Sequence, residues 1–368
     1  MSAAMEPLPT SYEPPAKGSK LAWSGRDDGD GLDVRRWHQA VAFHDLSEPL
    51  DHCFEPTLCF IGYASHEGVR ENMGRVGAED GPRKLRERMG SFPAVEGVTL
   101  IECGNIRPAA TVLETQHALA AVVERVVRAG AVPIILGGGH DQAFGLFFGI
   151  ARASGNAPAC VNFDAHLDLR PIPARGPNSG TPFTQAWEWC KEKRAQFRYA
   201  ALGVQRLGNT AQLFTRAEQA GATLVDADGF ALDMIDVVMD AVNDAIDEAE
   251  IALSIDLDVF AAAFAPGVSA PNAMGIAPDA AFRRVLRGLI ASERVRGVEV
   301  AELCPALDVD DRTARLGAAI VFEIASTLGD GDEDEDGDED DVEGGAEGGD
   351  DAGGELRDDD AFGSDGDR

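Results

Sequence analysis

Short apolar runs alternate along this chain with longer segments of helical spacing, and this alternation most constrains the fold. The run "VPIIL" (132–136) follows "TVLETQHALAAVVERVVRAG" (111–130), whose apolar residues fall largely on one helical face and which ends at Gly130. Apolar runs without polar alternation are typical of strands buried on both faces. Alternating strands and helices therefore predict a parallel sheet covered by helices.

The same alternation continues through most of the chain. "LCFIGYA" (58–64) predicts a buried strand, and "GPRKLRERM" (81–89) predicts a helix with Pro82 in its first turn. Strand character returns in four later segments, each after a stretch with helical features, near 158–166, 198–204, 251–260 and 295–303.

Composition divides the 368 residues into three parts. Residues 1–57 form an N-terminal segment whose Pro- and Ser-containing start predicts little order, and residues 58–328 form the α/β domain. Residues 329–368 hold 20 acidic residues and 2 arginines, more than half of the formal charge of −32. This tail cannot bury enough apolar surface to fold, so it is predicted to be disordered, either solvating the protein or serving as an interaction tail.

Charge and residue usage limit the partners and the compartment. The acidic chain has only five lysines against 27 arginines, which suits a salt-rich cytoplasm and indicates a halophilic source. It has no basic patch for nucleic acid and no apolar run approaching the ~20 residues of a membrane span. No secretory signal is recognisable, and six scattered cysteines fit a reducing cytosol. A cytoplasmic protein is expected.

Three of the predicted strands end in residues that can bind metals. These residues are His140, then Asp164, His166 and Asp168, then Asp256 and Asp258. In open parallel sheets, ligands bind beyond the carboxyl ends of the strands, so these side chains are expected to meet. Singly, His140 reads as a loop residue and Asp258 as a turn cap. Together, the polar groups after apolar strands predict a binding site, because burying them is costly unless something pairs with them.

The chemistry of this set favours a pair of divalent cations. Carboxylates and imidazoles without thiolates suit Mn²⁺ best, while Fe²⁺, Co²⁺ and Zn²⁺ stay open. Four carboxylates can balance two such ions, which together make hydroxide available near neutral pH.

The motifs "GGGHD", "FDAHLD" and "SIDLDVF" followed by "APGVSAP" resemble, in order and spacing, those of the ureohydrolase family of arginase and agmatinase. The resemblance covers about residues 58–328. It implies a three-layer α/β/α fold around a mostly parallel eight-stranded sheet, with two Mn²⁺ ions per subunit. It assigns one ion to His140, Asp164, Asp168 and Asp256, and the other to Asp164, His166, Asp256 and Asp258. Family members often form trimers or hexamers, so a homo-oligomer is expected.

Two further roles follow from the resemblance. "GVEVAELCP" resembles the family segment whose Glu contacts the cationic head of the substrate, which places that role on Glu302; an ordinary buried ion-pair partner is the alternative. Arginase-like members carry a proton-transferring His after the second motif, and this chain has none after His166. Asp168 is therefore the candidate to accept a proton and pass it to the leaving amine.

Arg170 follows the second motif, at a position where an arginine is not expected in a relative that binds a guanidinium. Arg170 would repel a guanidinium but can bind a carboxylate in a bidentate manner, and "RGPNSGTPF" (175–183) adds Arg175, Asn178 and Ser179. These residues predict a small acidic amidine as substrate. The alternatives are arginines that pair with surplus acid and a simple turn at "SGTPF".

Other segments resemble the formimidoylglutamase branch of the family, notably "WSGRDDGDGLDVRRWHQ", "GVRENMGRVGAEDGP" and "GVQRLGNTAQLF". That branch resemblance implies hydrolysis of N-formimidoyl-L-glutamate to L-glutamate and formamide, a step of histidine degradation. Another ureohydrolase, such as agmatinase or guanidinobutyrase, and a non-catalytic metal-binding member stay open. So does the choice between substrate contact and loop structure for Arg70 and Arg75.

Overall fold

The computed structural model of the chain describes residues 7–16, 23–29, 31 and 33–330, and its strands within those ranges all join one sheet. The strands are β1 (Tyr12–Glu13), β2 (Ala42–Phe43), β3 (Thr57–Tyr63), β4 (Thr99–Ile106), β5 (Val132–Leu136), β6 (Ala159–Phe163), β7 (Tyr199–Val204), β8 (Thr223–Asp226), β9 (Ile251–Asp256) and β10 (Val295–Ala301). Their order is β1-β4-β3-β5-β10-β9-β6-β7-β8, and β2 also pairs with β4.

The eight longer strands, β3 to β10, are all parallel to one another. This confirms the predicted mostly parallel sheet. The two-residue strands β1 and β2 raise the number from the predicted eight to ten; β1 is antiparallel and β2 parallel to β4. β4 and β8 were not predicted from the sequence, because their segments are partly exposed and mix polar with apolar residues.

Helices cover both faces of the sheet. They are α1 (Trp37–Ala40), α2 (Glu67–Glu71), α3 (Gly81–Met89), α4 (Val112–Arg128), α5 (Gln142–Ser154), α6 (Pro182–Lys193), α7 (Ala211–Ala220), α8 (Ile235–Ile246), α9 (Ala280–Ala291) and α10 (Arg312–Gly329). Of the helices in the described ranges, none is long and apolar enough to cross a membrane.

Alternate residues of one strand show how the layers form. Leu58 and Phe60 of β3 belong to the core that contains residues of α3, α8, α9 and α10. Cys59 and Ile61 belong to the opposite core, which contains residues of α4 and α5. Because successive strand side chains point to opposite faces, an entirely apolar strand needs a helix layer on each side. The predicted three-layer α/β/α architecture is confirmed.

The described part of the N-terminal segment packs against the α/β domain. Tyr12 is buried and lies in β1, and Trp23 and Trp37 are buried with ring centroids 5.2 and 5.8 Å from Phe60. The segment is therefore part of the core, because its aromatic side chains find apolar partners there. The remainder of the start, and the predicted disordered tail beyond Asp330, lie outside the described residues.

A buried ion pair holds α3 and the N-terminal segment against β4. The guanidinium of Arg86 donates to both carboxylate oxygens of Glu102, at 2.6 and 2.7 Å, and Trp23 Nε1 donates to the same carboxylate at 2.8 Å. Both charged side chains are only 5% exposed. A buried pair with its hydrogen bonds satisfied is strongly destabilising to break, since the remaining charge stays buried without a partner.

We expect Glu102→Gln to lower the free energy of unfolding by about 3 kcal/mol, because it leaves the Arg86 guanidinium buried and uncompensated. The matched control is Glu87→Gln, which removes a partly exposed carboxylate that pairs with Arg83 and Lys84 on the same helix and should cost less than about 1 kcal/mol. Urea unfolding followed by tryptophan fluorescence measures both. Equal losses in the two variants would contradict the anchoring role of the buried pair.

Candidate metal centre

The predicted metal ligands follow strands that are neighbours in the sheet. His140 follows β5, Asp164 follows β6, and Asp256 ends β9. The strand order runs β5-β10-β9-β6, so these strands are brought side by side although they are distant in the chain. Since all four are parallel, their carboxyl ends share one edge, where open α/β sheets bind ligands.

The glycines before His140 permit a close approach of backbone to backbone. Gly137 and Gly138 have φ values of +60° and +84°, in the left-handed region. A Cβ on Gly138 would lie 2.2 Å from the Tyr63 carbonyl oxygen, and one on Gly137 would lie 2.7 Å from Pro82 N. The glycine run is thus a packing requirement that directs His140 into the site.

His140 is the centre of the first group of ligands. Its Nδ1 lies 2.8 Å from an oxygen of Asp168 and 3.2 Å from oxygens of Asp164 and Asp256. The imidazole is 1% exposed, so these contacts form in the interior of the protein.

His166 is the centre of the second group. Its Nδ1 lies 3.2 Å from Asp258 Oδ2 and 3.4 Å from Asp164 Oδ1. Asp256 joins the two groups, since its Oδ1 accepts from the Asp258 backbone N at 2.8 Å while its Oδ2 faces His140. All six predicted ligands therefore meet at one edge of the sheet.

The donor set fits a pair of divalent cations. Two triads, His140–Asp164–Asp168 and Asp164–His166–Asp258, each offer ligand atoms within 4.8 Å of one another, and they share Asp164. Asp258 Oδ1 is buried with no hydrogen-bond partner among the described residues, as expected of an atom placed to bind a cation. Oxygen and imidazole ligands without sulfur suit Mn²⁺ and related ions.

Without bound cations, the buried carboxylates strongly perturb one another's protonation. Burial, and then the charge of Asp164, raises the pKa of Asp256 to about 6. The charge of Asp258 is the largest cause that raises the pKa of His166 far above its usual value. Burial alone would lower the pKa of His140, but Glu299 and the surrounding aspartates outweigh it and raise that pKa. The imidazoles thus carry protons that partly neutralise the cluster.

Glu302 is held beside the metal ligands by an unusual backbone conformation. Its φ is +65°, its backbone N donates to the Gly138 carbonyl at 2.8 Å, and its Oε1 accepts from the His140 backbone N at 2.9 Å. Burial, followed by the charge of Asp256, raises the pKa of this carboxyl. Asp168 also lies in the left-handed region, at φ +44°. Such strained positions persist only where the surrounding structure fixes them.

Two residues that orient His140 were not identified from the sequence. Ser254 Oγ lies 2.8 Å from His140 Nε2 and donates to the buried carboxylate of Glu299, which itself lies 3.2 Å from Nε2. These partners fix the direction of the imidazole, as outer groups do at metal sites. The available signal was weak: Ser254 precedes Asp256 by two residues on β9, so both side chains point the same way.

A cavity of about 360 Å³ opens over the cluster. Its floor contains His140, His166, Asp168, Asp256, Asp258 and Glu302, and its walls include Asn72, Arg75, Arg170, Ser179 and Ser269. This volume falls in the range of small-ligand sites.

Two of the four predicted substrate contacts lie in the cavity wall. Arg170 and Ser179 line the cavity, but Arg175 and Asn178 do not. Arg175 instead forms an ion pair with Glu71 at 3.1 Å, and Asn178 Oδ1 accepts from Gly180 N within a buried turn. The structure thus separates Arg170 and Ser179 from Arg175 and Asn178, because loop residues close in sequence need not face the same way, and contact of all four with a substrate stays a prediction. Arg75, whose role the sequence left open, takes a place in the wall.

A larger groove of about 900 Å³ runs along α4, away from the metal ligands. Among its charged residues, Arg128 and Arg152 both pair with Glu124. No metal-binding group is found there within the described residues, so the smaller cavity is the candidate site.

Comparison with known proteins identifies a family to which the chain is similar over most of its length. Residues 57–326 match the arginase family. The chain is 39% identical over 311 residues to a Rhodococcus opacus protein named formimidoylglutamase, covering 83% of this chain and 94% of that one. It is 40% identical over 314 residues to a Nocardia farcinica formimidoylglutamase, covering 83% and 96%. A solved variant of Trypanosoma cruzi formiminoglutamase with Mn²⁺ is 25% identical with a TM-score of 0.65, covering 74% of this chain and 93% of that one.

We expect Mn²⁺ binding to release protons, because the raised pKa values leave His140 and His166 protonated near neutral pH and both must become neutral to bind. Calorimetry in two buffers of different ionisation enthalpy counts the protons. The apparent affinity should fall as the pH is lowered through about 6, where Asp256 gains a proton. Binding that releases no protons at pH 7 would contradict the assignment of the two histidines as ligands.

Proposed function

This chain belongs to the arginase family, and from that premise we propose that it is a formimidoylglutamase, hydrolysing N-formimidoyl-L-glutamate to L-glutamate and formamide. Relatives of that name are 34–40% identical over most of the chain. The observation that carries the proposal is Arg170, an arginine in the wall of a cavity whose floor is the metal centre. An arginine in that place fits an acidic substrate.

Two Mn²⁺ ions are the proposed cofactor. One would be held by His140, Asp164, Asp168 and Asp256, and the other by Asp164, His166, Asp256 and Asp258. When bound, such a pair supplies hydroxide near neutral pH and polarises the carbon under attack. The protein contributes the ligands, fixed at the ends of adjacent strands, and the buried groups that orient His140.

Glu302 and Asp168 have separate roles in the reaction. Glu302, held by the His140 backbone N, orients the cationic formimino group of the substrate over the metal ligands. Asp168 lies on the cavity floor, where it accepts the proton of the attacking water and passes it to the glutamate nitrogen. The bond between that nitrogen and the formimino carbon then breaks, giving glutamate and formamide. This assignment needs no additional histidine.

Arg170 binds a carboxylate of the substrate. Its backbone N donates to the Gly180 carbonyl at 2.9 Å, which fixes the start of the side chain. No carboxylate in the part of the chain that the structure describes pairs with its guanidinium. Ser179 lies beside it, with Oγ accepting from Asn72 Nδ2 at 3.1 Å and its own hydroxyl hydrogen free to donate to the substrate.

Agmatinase and guanidinobutyrase activities fit the cavity less well. Their guanidino substrates carry no carboxylate or only one, so an arginine-lined wall gives them fewer favourable contacts and more repulsion. Both reactions release urea, which distinguishes them from formamide release.

We also propose a cellular environment and an oligomeric state for the enzyme. The acidic composition suits a salt-rich cytoplasm, and a homo-oligomer, either a trimer or a hexamer, is the expected assembly. Activity measured across KCl concentrations and light scattering of the purified protein test these two points.

A substrate panel tests the reaction. We expect the Mn²⁺-loaded protein in high salt to release formamide from N-formimidoyl-L-glutamate and little or no urea from arginine, agmatine or guanidinobutyrate. A chelator should abolish turnover and added Mn²⁺ should restore it, as a non-catalytic member of the fold would not show. Urea release without formamide would overturn the assignment.

Arg170→Ala should raise KM for N-formimidoyl-L-glutamate about ten-fold or more, because a charge-assisted contact to a carboxylate is lost. The contact is made in both the bound substrate and the transition state, so kcat should change little. Steady-state kinetics and a thermal melt measure both effects. An unchanged KM in a folded variant would exclude Arg170 from substrate binding.

A further inference from the structure

Arg75 shares the cavity wall with Arg170, and it reaches the wall from a different part of the chain. It lies between α2 and α3, whereas Arg170 lies after β6. The two segments are joined by hydrogen bonds from Asn72 Nδ2 to Ser179 Oγ at 3.1 Å and from Ser179 N to the Gly68 carbonyl at 3.0 Å. The two arginines therefore belong to one connected wall.

The contacts of Arg75 fix its direction without neutralising it. Its Nε donates to the Ser269 carbonyl at 2.8 Å, and one terminal nitrogen donates to the Val268 carbonyl at 2.7 Å. Its backbone N donates to Ser269 Oγ, also at 2.8 Å. Carbonyl oxygens are neutral, and no carboxylate among the described residues pairs with this guanidinium. Its full charge and its other terminal nitrogen stay available at the wall.

Two neighbouring arginines, unlike Arg75, form ion pairs with carboxylates. Arg70 pairs with Glu67 at 2.6 Å, and Arg175 pairs with Glu71 at 3.1 Å. The acids of this region are thus taken by arginines outside the cavity wall. In a chain with twice as many acidic as basic residues, two cavity arginines without acidic partners are informative.

We propose that Arg75 binds a second carboxylate of the substrate, so that Arg75 and Arg170 together select a dicarboxylate. This inference rests on the proposed function and adds the residue that binds the second carboxylate of the substrate. A dianionic substrate approaching an acidic cavity floor is repelled by it unless cations offset the repulsion, and two oriented guanidinium groups do so. Because the carbonyl contacts already fix Arg75, little side-chain freedom is lost on binding.

The test compares Arg75→Met with wild type on three substrates, using the full chain loaded with Mn²⁺. These are N-formimidoyl-L-glutamate, N-formimidoyl-4-aminobutyrate, which lacks the α-carboxylate, and N-formimidoyl-L-glutamine, which lacks the side-chain carboxylate. For the first substrate we expect KM to rise about ten-fold with kcat nearly unchanged. One of the two analogues lacks the carboxylate that Arg75 would bind. For that analogue, Arg75→Met should change KM less than two-fold relative to wild type.

Two further variants keep the result interpretable. Arg75→Lys retains the charge but cannot reach both carbonyls in the same way, so it should recover part of the affinity if Arg75 binds substrate. Arg83→Met removes an exposed arginine that pairs with Glu87 on α3 and serves as the matched control, with KM expected to stay at the wild-type value. If Arg75→Met does not fold, the comparison of substrates is made with Arg75→Lys.

Two outcomes would overturn the inference. An equal rise of KM on all three substrates would mean that Arg75 only holds the loop at Ser269 in place. An unchanged KM on all three would mean that it does not bind substrate. Wild-type protein that fails to hydrolyse N-formimidoyl-L-glutamate would instead refute the proposed function, which is a separate result.

Discussion

Repulsion among buried carboxylates is the constraint on which the rest of this structure depends. Asp164, Asp256 and Asp258 are almost fully buried within a few ångströms of one another, and Glu302 lies beside them. Such a cluster cannot remain fully ionised in a low-dielectric interior without cations. Protonated imidazoles offset part of the charge, and divalent metal ions suit the remainder. The sheet has to be rigid enough to hold this arrangement before any cation binds.

That rigidity comes from packing on both sides of the four central strands. Helix layers cover each face, and the glycine loop before His140 lies against Pro82 at the start of α3. The N-terminal segment reinforces the same face through Trp23 and the buried pair of Arg86 with Glu102. These contacts lie far along the chain from the metal ligands, but they fix the helix on which the glycine loop rests.

The meeting of the candidate metal ligands could be predicted from sequence because strand ends are strongly constrained. Once a run such as "VPIIL" is read as a buried parallel strand, the polar residue that follows it must emerge at the carboxyl edge. The residues of the cavity wall were harder to predict from the sequence, since a loop can direct neighbouring side chains in opposite ways, as Arg170 and Arg175 show. The left-handed conformation of Glu302 and the buried carboxylate of Glu299 depend on tertiary contacts for which local sequence gives little signal.

The separation of strand ends from loops bears on how such a protein can evolve. Every candidate metal ligand ends or closely follows one of the central strands, whereas Arg75 and Arg170 lie farther from the strand ends in connecting segments. A substitution at Arg75 or Arg170 alters the cavity wall without replacing a candidate metal ligand, and loops generally tolerate change better than sheets do. The lining of the cavity can therefore change by substitutions in two loops, while the candidate metal ligands at the strand ends are kept.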